Sequence, residues 1–304
     1  VTPVDTVAFY LPALRGNDYV ARIDITDAVG NASTYVFVEI PKKTENNQFD
    51  YRVYDKDGSF RKGYFIDGDD VFYLDALMDT GKMFVRYYNR DFPVALPPFV
   101  DEEPPSFEYS ADSIFQIDLI GGRTQLLNFS EEGFYQFQID TTIKTGVTLF
   151  NFYKGFPDVI NVEELLYPLK YITTSKEFAV LKESEDMKMA IDQFWLENAG
   201  NPLRAKSMIS KYYGRVREAN KYFSSFLEGW KTDRGLIYII FGEPKIVYRS
   251  ENFEEWIYGE EGNSNSLRFQ FIKIENPFSN NDYVLVKSLN YKEEWYDAVS
   301  GWRR

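Results

Sequence analysis

The chain has 304 residues and contains neither cysteine nor histidine. Without cysteine there are no disulfides, thiolate zinc sites or cysteine nucleophiles, and the redox compartment is left open. Without histidine, the one side chain that ordinarily titrates between pH 5 and 8, Ser-His-Asp triads and His-ligated zinc are impossible. Only carboxylate, Lys, Tyr or hard-metal chemistry remains for catalysis. Basic residues are also scarce: 34 Lys and Arg face 47 Asp and Glu, a formal charge of −13. That balance argues against nucleic acid, whose affinity rests on Lys and Arg neutralising phosphates, and against an anionic membrane surface. Long apolar runs are missing too. Stretches such as residues 236–241 fall far short of the roughly 20 residues that span a bilayer, so no transmembrane segment is expected. The first residue is Val1, with no charged n-region or apolar h-region behind it. A removed targeting segment or an absent upstream part is expected, and any signal or lipid anchor would lie upstream of residue 1.

What is present is aromatic. Phe (26) and Tyr (23) dominate an aromatic share of 18%, which favours pleated, half-buried surfaces and a β-rich protein. Alternating segments at 19–26, 34–40, 49–54, 60–66, 71–74 and 83–88 predict an immunoglobulin-like β-sandwich over residues 1–98. The prolines between Pro93 and Pro105 predict a stiff boundary. A second small β domain is expected at 104–156, with strands at 113–119, 124–129, 134–139 and 147–152. After Pro157 the period shifts towards 3.6, so residues 157–304 read as a helical and mixed-sheet domain. The expected fold class is therefore multidomain, β-rich α+β. Within the first unit, Asp55-Lys56-Asp57-Gly58 and Asp67-Gly68-Asp69-Asp70 are acidic turns. An EF-hand reading fails, because the twelfth positions hold Ile66 and Met78 in place of Glu. A plain turn and an irregular calcium site stay open, and no cofactor is assigned.

Two helices are predicted near 187–199 and 203–227, and a last one at 292–302. The second carries Lys206, Lys211, Arg217 and Lys221 opposite its apolar stripe, either a solvated face or a docking surface for an acidic partner. Gly229-Trp230-Lys231-Thr232-Asp233-Arg234-Gly235 then leads into an apolar run at 236–241 that reads as a strand. The motif suits a hydrogen-bonded corner: Gly229 ends the helix in a left-handed conformation, Trp230 plugs, Thr232 and Asp233 accept freed amides, and Arg234 holds Asp233 or Glu254. Gly235 gives room for close packing. A ligand or peptide site on Trp230, Asp233 and Arg234 is the other reading. A phosphate loop does not fit, since Walker A precedes its helix and this motif follows one. Ser59-Phe60-Arg61-Lys62 matches Ser-x-x-Lys, but strand residues three apart face opposite sides. Glu254-Glu255 is the nearest approach to a two-carboxylate site and reads better as a strand edge. No catalytic or metal-binding residue is assigned.

Several separated motifs occur in order: Phe194-Trp195, Asn201-Pro202, Tyr212-Tyr213-Gly214-Arg215-Val216, Ala219-Asn220, Gly229 to Gly235, the run ending Gly242-Glu243-Pro244, and Glu255-Trp256-Ile257-Tyr258. Together, over about residues 162–286, they resemble the GWxTD domain family. Glu243 and Leu236 depart from the pattern, standing where Pro and a basic residue are usual. The resemblance implies a cell-envelope protein of Bacteroidota, exported, periplasmic or outer-membrane associated and often a lipoprotein, with β domains ahead of the signature domain. It transfers no catalytic residue. Thr6, Ser113 and Thr141 sit in Asp-Ser/Thr-apolar tripeptides like the O-glycosylation sites of exported proteins in that phylum. The expected role is a non-catalytic accessory subunit of an outer-membrane complex for biogenesis, secretion or transport, with other envelope proteins as partners. The alternatives are a carboxylate-dependent hydrolase of envelope glycan or peptide, and a calcium-stabilised carbohydrate-binding or adhesion module.

Overall fold

The computed structural model describes residues 12–14, 16–30, 32–40, 48–61, 63–102 and 107–303. Strands β1 (Tyr19–Thr26) and β2 (Ser33–Ile40) form an antiparallel hairpin with a sheet of its own. Seven more strands follow: β3 (Tyr51–Asp55), β4 (Phe72–Ala76), β5 (Lys82–Tyr88), β6 (Ser113–Ile120), β7 (Arg123–Thr124), β8 (Gly133–Gln138) and β9 (Val147–Asn151). They make one sheet in the order β3-β4-β7-β6-β5-β8-β9, with every neighbouring pair antiparallel.

That sheet is nearly closed. The segment after β3 crosses the gap between its two edges, with Phe60 bridging to Tyr54 and Phe65 to Phe150. Ile66 donates its N–H to the Phe150 carbonyl at 2.9 Å, and Phe150 donates to Tyr64 at 2.8 Å. Alternate side chains, among them Val53, Leu74, Val85, Ile117, Phe137 and Leu149, point into a single core. This corrects the expected sandwich at 1–98 and separate β domain at 104–156. β5 pairs with both β6 and β8, so strands from either side of the proline segment share one sheet and one apolar interior. Periodicity marks which face of a strand is buried but not which strand lies beside it.

The remainder is α+β. Helices α1 (Val162–Leu166), α2 (Ser175–Lys182), α3 (Met187–Ala199), α4 (Pro202–Phe223), α5 (Asp233–Phe241) and α6 (Lys292–Gly301) pack with a four-stranded antiparallel sheet. Its strands, in spatial order, are β10 (Ile246–Arg249), β11 (Phe253–Tyr258), β12 (Leu267–Lys273) and β13 (Tyr283–Leu285). Local chemistry sets the helix starts. Asn161 with Glu164, and Thr174 with Glu177, form capping boxes at α1 and α2. Asp186 and Asn201 cap α3 and α4, and Gly200 closes α3 at φ +74°. Residues 236–241, expected as a strand, belong to α5, where Leu236, Ile237, Ile239 and Ile240 are all buried. A short helix apolar nearly all round has no periodic stripe to distinguish it from a buried strand.

The proline segment is a strap across the C-terminal part. Ala95 N–H donates to the Lys231 carbonyl at 2.8 Å, Ser288 N–H to the Pro98 carbonyl at 3.0 Å, and Lys287 Nζ to the Leu96 carbonyl at 2.8 Å. Below it, Phe278 from the loop between β12 and β13 sits among Tyr88, Phe107, Phe134 and Phe226. Gln136 of β8 also donates to the Pro277 carbonyl at 3.2 Å. The barrel-like sheet and the helical part are thus joined by a shared aromatic cluster and by main-chain hydrogen bonds.

Candidate functional site

The motif lies where α4 hands over to α5. Gly229–Lys231 forms a 3-10 turn, and Thr232 caps the helix that begins at Asp233. Gly229 is not left-handed, as the helix-ending reading expected. It is required by contact, because a Cβ there would lie 1.9 Å from the Ala219 carbonyl oxygen. Gly235 is equally constrained, with a Cβ 1.8 Å from the Gly229 oxygen. The two glycines let α5 press onto the turn and the turn onto α4.

Polar groups hold that contact together. Asn220, fully buried on α4, accepts from the Trp230 N–H at 3.1 Å and donates to the Tyr153 hydroxyl at 3.0 Å. The Ser224 hydroxyl donates to the Asn220 carbonyl and accepts from the Gly229 N–H, at 2.6 and 2.7 Å. The Thr232 hydroxyl donates to the Gly229 carbonyl at 2.8 Å and accepts from the Gly235 N–H at 3.0 Å. Trp230 is buried edge-on against Tyr171, whose hydroxyl donates to the Trp230 carbonyl at 2.7 Å.

The charged pair reaches across to the sheet. Asp233 accepts from the Leu285 N–H and from Lys287 Nζ, both at 2.8 Å. Arg234 donates to the Asn281 carbonyl at 2.9 Å, faces Glu254 at 3.4 Å and lies over the Tyr283 ring at 4.1 Å. Of the two acids named for Arg234, Glu254 is therefore the partner. Glu254 is itself buried and accepts from Trp256 Nε1 at 3.1 Å. Beside them, burial pushes the Asp282 carboxyl up to about 6, against the pull of Arg234 and with Asp233 adding to the rise. In this lock each named polar group has its partner within the chain. It orients backbone and excludes water, and it presents no nucleophile with an adjacent base.

The other predicted residues are dispersed. Lys206, Lys211, Arg217 and Lys221 are all exposed on α4. At 100° per residue the four lie within an arc of about 140°, on the side of α4 away from its buried stripe. Lys211 sits over the Trp302 ring at 5.6 Å, Lys221 over Tyr222 at 4.9 Å, and Arg217 pairs with Asp158. In the acidic turns, Asp55 and Asp70 bind Arg61, Asp57 accepts from Ser59, Asp69 pairs with Lys154 and Asp67 accepts from the Gly155 N–H. Among the described residues no group of three or more acids converges as a metal site. Ser113 and Thr141 are exposed, while Thr6 and Lys62 lie outside the described residues. β11, which carries Glu254 and Glu255, is an inner strand of its sheet rather than an edge.

Sequence reasoning missed Asn220, Asn281 and Lys287 as parts of the lock. Only Asn220 carried a signal, an amide on the apolar stripe of a long helix, where a polar group must be satisfied by neighbours. A family model for the GWxTD domain matches residues 133–304. The chain belongs to the GWxTD domain family. The match extends beyond the 162–286 expected from the motifs, taking in β8 and β9 at one end and α6 at the other. No curated protein and no solved structure matches the chain.

Proposed function

We propose that this GWxTD protein is a non-catalytic, exported accessory subunit of an outer-membrane-associated complex, acting through protein–protein contacts. The observation that carries the reading is the β1–β2 hairpin. Tyr19, Ala21, Ile23 and Ile25 share one face with Val36, Val38 and Ile40, and Ile25, Val36 and Val38 are exposed. The opposite face adds Tyr35 and Phe37, the latter 58% exposed. Two strands alone are marginal in water, and contiguous exposed apolar surface marks contact sites. The inward-facing motif fits the same role, since it makes a rigid body rather than a reactive centre.

The test is purification from native membranes after mild cross-linking, with and without Tyr35→Asp and Phe37→Asp. The expected result is a fixed set of envelope proteins with the unaltered chain, lost in the double variant at unchanged melting temperature. Recovery of the chain alone would overturn the reading. The hydrolase alternative calls for a raised carboxyl near a second acid, and Asp282, raised by burial with Asp233 adding to the rise, is one such group. Asp233 is held by Lys287 and Leu285, and Asp282 by Asn276 at 3.1 Å, which is the arrangement of a lock.

A further inference from the structure

β2 is a long strand edge with nothing to guard it. It runs for 8 residues, Ser33–Ile40, and pairs with β1 without a break from Tyr19↔Ile40 to Thr26↔Ser33. Among the described residues β1 is its only strand neighbour. The Asp27 N–H donates to the Ala32 carbonyl at 2.8 Å, which sets the phase of the ladder. Even-numbered residues of β2 bond to β1, while Ser33, Tyr35, Phe37 and Glu39 turn their N–H and C=O groups outward. Proteins blunt such edges with proline, lysine, a bulge or a short strand. β2 has none of these, and Tyr35 and Phe37 stand on it exposed, edge to face at 5.4 Å.

The sequence of β2 is complementary to itself. Two copies of the strand, antiparallel about a twofold axis at Val36, place Tyr35 opposite Phe37 and Ser33 opposite Glu39, and each pair occurs twice by symmetry. In both pairs the outward N–H and C=O groups of one copy meet those of the other. Glu39 is the one charged residue of β2, and it falls opposite a serine, so no like charges are brought together. Aromatic cross-strand pairs are among the stabilising ones. A slip that keeps the phase of the ladder moves the axis to Tyr35 or Phe37 and leaves one aromatic pair in place of two.

The faces of the enlarged sheet are consistent with this register. On one face Ile23 and Val36 of the two copies become a continuous apolar row. On the other, Tyr35 and Phe37 of both copies form a central aromatic block, flanked by the Arg22–Asp24 ion pair at 2.7 Å with Arg22 over the Tyr35 ring at 4.6 Å. β1 then supplies both outer edges, and its charged Arg22 and Asp24 disfavour further strands, so addition closes at two copies.

Taking the hairpin as the contact surface proposed above, we infer that its β2 edge binds a second copy of this chain, strand against strand about Val36, to make a four-stranded sheet in the order β1-β2-β2-β1. The paired segment is shorter than the roughly 20 to 30 residues a side of a standard interface. The dimer is therefore reversible and separates on dilution.

The chain has no cysteine, so introduced cysteines report the register directly. At the axis the two Val36 positions form a non-hydrogen-bonded pair with Cα atoms about 4.5 Å apart, which a disulfide spans. Purified Val36→Cys, mildly oxidised under native conditions, is expected to give a covalent dimer. Thr34→Cys and Val38→Cys should each stay monomeric alone and link when mixed with one another. The unaltered chain should sediment with a mass that rises with concentration from monomer towards dimer. Phe37→Asp, at an exposed position, should sediment as a monomer and melt as the parent does. The proposal is overturned if Val36→Cys links no faster than Thr34→Cys or Val38→Cys, if the unaltered chain stays monomeric, or if Phe37→Asp dimerises as the parent does. Envelope proteins captured through the hairpin by a monomeric chain would overturn the dimer and leave the contact surface standing. A chain that cross-links at Val36→Cys yet is recovered without envelope proteins would do the reverse.

Discussion

At the scale of the residue, the motif is governed by space before charge. Gly229 and Gly235 each stand where a Cβ would overlap a carbonyl oxygen, whereas Gly214, on α4, has nothing within 4 Å of that position. Gly235→Ala should therefore lose about 3 kcal/mol or more through backbone displacement. Gly214→Ala should gain roughly 0.5 to 1 kcal/mol from helix propensity. Urea unfolding of both variants checks the contrast, and similar midpoints would refute the packing argument. Asp282 supplies a pH dependence. Its folded pKa of about 6 lies above the ordinary carboxylate value, so the native state holds that proton more tightly than the unfolded chain. The contribution is complete below about pH 4 and is lost as pH rises through about 6. Asp282→Asn should flatten the urea midpoint between pH 4 and 6.5, where the parent declines. Glu177 works in the opposite direction. Arg303 holds its carboxyl down to about 2, so its stabilisation is present above the ordinary Glu value and disappears as pH falls towards 2.

At the scale of the element, the sequence was legible where a pattern had length and a terminator. The strands at 19–26 and 83–88, and α3, α4 and α6, lie close to their expected positions. Six apolar residues at 236–241 fit a buried helix and a buried strand alike, and in the structure they are helix where a strand is expected. The capping boxes at Asn161 and Thr174 are signals in the sequence for the starts of α1 and α2. Of the candidate site, the motif and the Glu254 partner were visible, but Asn281 and Lys287 lie some fifty residues further along and are brought in only by β13 and its approaches. The prolines predict a stiff boundary because they favour extended chain. Extended chain also offers unpaired carbonyls, and here Lys287 takes one of them while holding Asp233. Lys287→Ala should release that strap and leave the largely buried Asp233 carboxylate short of its counter-charge. The expected result is faster hydrogen exchange at Ala95 and new protease cleavage within 93–100, with α3 exchange unchanged. Unchanged exchange at Ala95 would show that the strap is held by other contacts.

At the scale of the whole molecule, the family boundary and the folding boundary do not coincide. The family match begins at Gly133, the first residue of β8, yet β8 is paired along its length with β5, which lies upstream. Cutting at 133 leaves β8 and β9 as a two-stranded ribbon. The buried side chains of Tyr135, Phe137, Val147 and Leu149 would then lose the rest of their core. It also strips the strap from the motif and removes Tyr88 and Phe107 from the cluster around Phe278. A bare ribbon of this kind is marginal in water and presents an unpaired edge. A fragment of residues 133–304 should therefore bind more hydrophobic dye than the full chain and self-associate more strongly. A fragment beginning at residue 153 discards the ribbon and keeps the helical core, so it should aggregate less despite being shorter. Sedimentation and dye fluorescence of the three proteins decide the matter. If 133–304 proves monomeric and dye-negative, the barrel-like sheet is not the unit that β8 and β9 need, and the helical part alone supplies their support.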